Sequence, residues 1–180
     1  MPPWLSLINS YQNIESSLNS SRWVQLATVC QDNTPRVRTV VFRGWSDSYE
    51  MKILTDKRSN KFSELENNKN AEICWFFTKS LCQFRLSGTS SIDFGEDTIY
   101  HWNQLDTHSR SMWGWPSPGK KYYSNKNSIT LTNENTEILE NFCLLKIRMS
   151  QVDQLILGKQ LHFRRHWIFR DHWVEERLNP

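Results

Sequence analysis

Short runs of alternating apolar and polar residues, each bounded by turn signals, fill the first half of this chain and restrict it to an antiparallel β fold. Residues 22–30 (RWVQLATVC) alternate with the two-residue period of a strand. The Asp, Asn and Pro of residues 32–35 signal a turn, and residues 35–45 form the next strand. Ser46-Asp47-Ser48 reads as a turn before a third strand over 51–55. Residues 71–78 and 81–93 supply two more, and 142–157 with 161–178 supply two or three closing strands. Helices are few. Residues 3–20 read as a helical lead-in, with Trp4, Leu5, Ile8 and Tyr11 at helical spacing. The polar stretch 56–70, marked by Phe62, Leu65 and Glu66, holds a short helix; residues 97–105 hold another, and 114–120 form a Pro- and Gly-punctuated loop. Short turns imply antiparallel pairing. The expectation is one mainly β domain over residues 1–180, with flanking helices and a six- to seven-stranded barrel that leaves no exposed edge.

Composition narrows the function. Nine Trp, nine Phe and five Tyr suit half-buried strands and leave room for a flat ligand that stacks. The net charge of +3 is too small for a general nucleic-acid binder without a basic stripe. No apolar run is long enough to span a membrane, and residues 1–12 lack the basic and apolar regions of a signal peptide. Cys30, Cys74, Cys82 and Cys143 are scattered without a CxxC pair, which fits buried free thiols in a reducing cytoplasm. His162 and His166 lie four apart, which in a strand puts them about 13 Å from each other, too far to share a metal. His101, His108 and His172 form no ligand pattern, so no metal is expected.

One local anomaly carries chemistry. Lys57, Arg58 and Lys61 crowd the start of the helix after the third strand. Cations there oppose the helix macrodipole at a cost of about 0.3–1 kcal/mol each. A bound phosphate, met by free backbone N–H groups, the Ser59 hydroxyl and the basic side chains, would reverse that sign. The plainer alternative is that Lys57 and Arg58 precede the helix and face water. Arg36, Arg38 and Arg43 punctuate the preceding strand, with Arg38 on the face of Val40 and Phe42. If buried there it needs a phosphate or an acidic partner; otherwise it caps the barrel mouth in solvent.

These segments resemble the paired flavin signature of the pyridoxamine 5′-phosphate oxidase-like split barrels. Arg38-Thr39-Val40-Val41-Phe42-Arg43-Gly44 matches the family's R-x-V-x-x-[KR], and Leu54 to Lys61 (LTDKRSNK) matches [YF]-T-[ND]-x-x-S-x-K. Gln83 to Gly88 resembles Q-x-R-x-x-G, Leu161 to Arg164 resembles L-H-x-R, and the last four residues resemble R-L-x-P. The resemblance implies a homodimer with FMN in a cleft between subunits. Arg38, Ser59 and Lys61 would hold its phosphate; Thr39, Val40, Val41, Arg43 and Thr55 would lie along the flavin and ribityl chain. Gln83 and Arg164 would sit at the ring, with Arg58 added on the helix-terminus argument. Because Arg38 and Arg43 are five apart, both touch one ligand only if the strand bulges or the flavin runs past its edge.

The substrate half of the resemblance is thinner. Tyr100 fits the Tyr of the family's Tyr-x-x-x-Arg clamp, but Gln104 stands at the Arg. The family's Gln-Ser pair is missing near Thr107-His108, and its R-x-H has become Gln160-Leu161-His162. Arg110, Lys120 and Lys121 lie beside the altered region, Trp113 and Trp115 suit ring stacking or packing, and the WPSPG loop resembles a shorter branch of the family. The implied function is an FMN-dependent oxidoreductase with an altered pocket for a small molecule, by default a B6 vitamer phosphate. Tyr100 and His162 would bind substrate, and His162 would serve as the catalytic group. The alternative is a non-catalytic module for FMN or another aromatic anion, or a single-stranded nucleic-acid binder.

Overall fold

The computed structural model describes residues 1–121, 137–158 and 162–180. Among the described residues, eight strands form one antiparallel sheet: β1 Trp23–Val29, β2 Pro35–Trp45, β3 Met51–Asp56, β4 Asn70–Phe77, β5 Cys82–Asp93, β6 Phe142–Ile156, β7 Phe163–Phe169 and β8 Trp173–Leu178. Their order is β3-β2-β1-β4-β5-β6-β7-β8, and β3 returns to pair with β6. The first six strands therefore close into a barrel, and β7 and β8 extend from β6 as a flap. The six strands of the barrel meet the expectation of six to seven, and residues 163–178 add two more strands by folding back on themselves, the Arg170 N–H donating to the His172 carbonyl at 3.1 Å.

β6 makes the split. One edge runs along β5 throughout, while the other pairs with β3 over Phe142 to Ile147 and with β7 from Gln151 to Ile156. The partner change coincides with a register shift opposite Ser87 and Gly88, the local bend a β-bulge supplies. Only glycine fits there: a Cβ on Gly88 would stand 2.3 Å from the Arg148 carbonyl oxygen.

Helix α1, Pro3–Ile14, plugs one end of the barrel with Trp4, Leu5 and Ile8, all buried. The Trp4 ring meets Trp45 and Trp173 edge-on, each at 5.5 Å. The helix ends at Ile14, earlier than the sequence pattern predicts, and a short 3₁₀ turn at Asn19–Arg22 leads into β1. Val24, Leu26, Ile53, Ile73, Trp75, Phe77, Phe84 and Leu86 fill the interior, each contributing about 1.5–3 kcal/mol of hydrophobic stabilisation. Helix α2, Asn60–Asn67, follows β3, and α3, Glu96–Asn103, follows β5. A further helix, α4 (Thr107–Trp113), was not predicted, although Asp106 is its N-cap and accepts the Ser109 N–H at 2.7 Å. All four cysteines are free thiols, and burial pushes Cys143 up to about 12. No helix among the described residues is long and apolar enough to cross a membrane.

Candidate functional site

The turn after β1, the first half of β2 and the N-terminus of α2 enclose a cavity of about 970 Å³. Arg38, Ser59, Lys61 and Glu64 line it, and Pro118 and Gly119 of the WPSPG loop reach its rim. Arg38 reaches inward, as its strand parity requires. Its Nη2 lies 2.6 Å from a Glu64 carboxylate oxygen, and Nη1 donates to the Leu26 carbonyl at 3.2 Å and to the Thr28 hydroxyl. The partner that a half-buried arginine needs is therefore an acid on α2. Burial alone would raise the Glu64 carboxyl, but the Thr28 hydroxyl and Arg38 outweigh it and hold its pKa below the ordinary 4.5.

Lys61 donates to Ser59 Oγ at 3.2 Å, and Ser59 Oγ donates to the Asp56 carbonyl at 2.6 Å. Burial lowers the Lys61 pKa, and the charge of Arg38 adds to the effect. Ser59 is the N-cap of α2 but makes no capping bond, so the first-turn N–H groups beside Lys61 stay available to an anion. At the end of β3, the buried Thr55 Oγ1 has no hydrogen-bond partner among the described residues. Two cations and open helix N–H groups on the cavity lining form a donor set suited to an anion such as phosphate.

The other basic residues near this helix are engaged elsewhere. Arg58 does not line the cavity: its Nη2 lies 2.7 Å from Asp56 Oδ2, its Nε donates to Oδ1 at 3.0 Å, and Nη2 also reaches the Trp113 carbonyl at 3.1 Å. A carboxylate two residues away offers the guanidinium a planar, bidentate partner, so Arg58 stabilises the turn. Lys57 lies over the Phe94 ring at 4.2 Å. The helix begins at Asn60, so of the three cations only Lys61 stands at its N-terminus inside the cavity.

Of the remaining predicted flavin contacts, all but Val40 lie on the outside of the barrel. Val40 is buried in the interior, and Thr39, Val41 and Arg43 alternate outward. Arg43 sits where the β2–β3 register shifts, next to Gly44 with φ +106°. Partial burial and then Arg22 lower the Arg43 pKa. Strand register sets out the outer face in rows. One runs Thr39, Gln25, Cys74, Arg85, Asp153, His166, and the next holds Gln83, Leu155 and Arg164. β2 and β7 are five strand spacings apart through β1, β4, β5 and β6, and three through β3 and β6 on the other side of the closed barrel.

On the substrate side, Tyr100 is exposed on α3 with its ring 5.5 Å from that of His101. Gln104 is the C-cap of α3. Arg110 staples α4 to α3, donating to the Trp102 and Asn103 carbonyls at 3.2 Å each and stacking on the Trp102 ring; Gln104 gains no replacement from it. His162 is exposed at the start of β7, and Gln160 lies outside the described residues.

Three residues absent from the sequence reading organise this surface: Thr28, Glu64 and Asp153. Asp153 had a visible signal, a lone carboxylate in an apolar strand run, which demands a cationic partner. Glu64, three residues after Lys61 on one helix face, had a weaker one.

The family model described as "Pyridoxamine 5′-phosphate oxidase, FMN-binding domain" matches residues 1–93. A pyridoxine/pyridoxamine 5′-phosphate oxidase 2 from Arabidopsis thaliana is 30% identical over 193 residues, covering 99% of this chain and 97% of that protein. A crystal structure of a pyridoxamine 5′-phosphate oxidase-related, FMN-binding protein from Nostoc punctiforme superposes with a TM-score of 0.93 at 33% identity, covering 100% of this chain and 99% of that one. PhzG from Burkholderia lata, solved with tetrahydrophenazine-1-carboxylic acid, shares the fold at 14% identity and a TM-score of 0.83, covering 98% and 92%.

Proposed function

This chain belongs to the pyridoxamine 5′-phosphate oxidase, FMN-binding family and its cofactor is FMN, and from that premise we propose that it is an oxidoreductase acting as a homodimer on pyridoxine or pyridoxamine 5′-phosphate. The observation that carries the site assignment is the convergence of Arg38, Lys61 and the uncapped α2 N-terminus on one cavity, which suits the FMN phosphate. When bound, FMN supplies the redox chemistry, taking a hydride from the amine- or alcohol-bearing carbon. The protein's share is binding and orientation. Glu64 and Thr28 fix the Arg38 fork before any ligand arrives, which lowers the ordering cost of binding. Lys61 balances the phosphate charge, and Thr55 offers its spare hydroxyl to the ribityl chain.

The exposed apolar residues on the outer face of the barrel favour a dimer. A flavin along Thr39 to Arg43 of one chain would meet Gln83, Arg164 and His162 of a second copy. Trp23, Val37 and Phe76 expose apolar surface on that outer face, as an interface between copies requires. Tyr100 and His162 would then hold the substrate. Gln104 in place of an arginine argues for a weakened substrate-phosphate clamp, with KM raised about tenfold for one lost charge-assisted contact. The same substitution favours, as a second reading, FMN binding without B6-phosphate turnover.

The test has two arms. The purified protein should be yellow with flavin absorbance, and Arg38→Ala with Lys61→Ala should cut FMN affinity at least about a hundredfold. Unchanged affinity removes the site assignment. Incubating the holoprotein with pyridoxamine 5′-phosphate under oxygen should yield the aldehyde; its absence leaves the second reading.

A further inference from the structure

We propose that Asp153 is a positioning residue that aims Arg164 at the flavin, an inference that rests on FMN occupying the outer face at Gln83 and Arg164. Asp153 is 7% exposed on β6 and gathers three donors from the strands on either side. From β7, Arg164 Nε and Nη2 approach its two oxygens at 3.0 and 2.8 Å, a bidentate fork, and His166 Nδ1 lies at 3.4 Å. From β5, Arg85 Nη2 reaches Oδ2 at 3.1 Å. Its directly paired cross-strand neighbours are Leu155 and Leu178. Neither offers a side-chain acceptor.

The fork also determines what Arg164 can still give. A guanidinium has five N–H donors in one plane. With Nε and Nη2 turned to Asp153, Nη1 keeps its two donors, and among the described residues it has no hydrogen-bond partner. Arg164 shares its cross-strand row with Leu155 and Gln83, one row from that of Asp153, so the fork sits beside the row that carries Gln83. Burial would raise the Asp153 carboxyl, but the bonds from Arg164, His166 and Arg85 outweigh it and keep it below the ordinary 3.8. The carboxylate therefore stays charged and the fork persists through the neutral range. His166 Nε2, buried without a partner among the described residues, marks the same spot as polar and unfinished.

The experiment compares FMN-loaded wild type with Asp153→Asn, Asp153→Glu, Arg164→Gln and the double variant Asp153→Asn/Arg164→Gln. Each is read by the flavin absorption spectrum and by FMN affinity from fluorescence titration, with circular dichroism and a melting curve as folding controls. Asp153→Asn should shift the flavin bands and weaken FMN about tenfold, the loss expected when one charge-assisted contact is misdirected. Asp153→Glu should restore most of both, and Asp153→Asn should add nothing once Arg164 is already Gln. A wild-type spectrum and affinity in Asp153→Asn, or an undiminished effect in the Arg164→Gln background, overturns the proposal while leaving the FMN site standing. If Asp153→Asn does not fold, Arg164→Lys keeps the charge and loses the fork; it should give the same spectral shift, and an unshifted spectrum overturns the proposal. Wild-type protein that takes up no FMN removes the site and this proposal together.

Discussion

At the residue scale the cavity beside α2 holds a conflict that a bound phosphate would resolve. Lys61 is desolvated and faces Arg38, and both effects press it towards the neutral form. An arriving phosphate reverses this, since an anion beside the ammonium raises its pKa. FMN binding should therefore be tightest where Lys61 is charged. It should weaken as pH rises through the depressed Lys61 pKa, below the ordinary 10.5, because binding then takes up a proton. Titrating FMN affinity against pH checks this, and Lys61→Met should flatten the profile. The stability effect has the opposite sign. The buried charge costs stability of the FMN-free protein below the depressed pKa, and that cost fades as pH climbs towards 10.5. Glu64 supplies a separate prediction. Glu64→Gln leaves the Arg38 guanidinium, 24% exposed, without its counter-ion and should cost about 2 kcal/mol in urea unfolding of the FMN-free protein.

At the scale of elements, the bend in β6 decides the architecture, and Gly88 permits it. A methyl group there meets backbone at 2.3 Å, with no flexible side chain to give way. Gly88→Ala should lower stability by about 1–3 kcal/mol and disturb β6 at Met149, ahead of Asp153; thermal melting and loss of flavin absorbance together would check this. The strands themselves were legible, because two-residue alternation is a local property. What β6 does was not legible, since its change of partner depends on strands far away in the sequence. The helix start misled for a related reason. Counting cations at 57, 58 and 61 pointed to an anion, but Arg58 is neutralised by Asp56, and only side-chain geometry shows which charge is spent. Helix α4 was missed although its Asp106 cap was readable, because seven residues give too few turns for a periodic signal.

At the scale of the molecule, one group of predicted contacts sits at the barrel end and another on its outer wall, a division that a linear motif order does not reveal. Acid should act on both. Asp56, Glu64 and Asp153 each have folded pKa values below their ordinary 3.8, 4.5 and 3.8. Each stabilises the fold above its ordinary value and loses that contribution as pH falls through the depressed one. An unfolding curve against pH should therefore stay level down to roughly 4.5 and drop below it. Asp153→Asn should shrink the drop. Assembly gives the last prediction. If the flavin draws on Thr39 to Arg43 of one copy and Arg164 of another, association and cofactor binding are linked, and each strengthens the other. Sedimentation should give twice the 21.5 kDa chain mass. Trp23 stands 51% exposed on the outer face, across from Val41. Trp23→Glu would bury a carboxylate in that interface, so it should shift the protein to monomer and weaken FMN about tenfold or more. A monomeric Trp23→Glu variant that binds FMN as tightly as wild type would place every flavin contact within one chain, and the outer-face row of Arg164 would need another ligand.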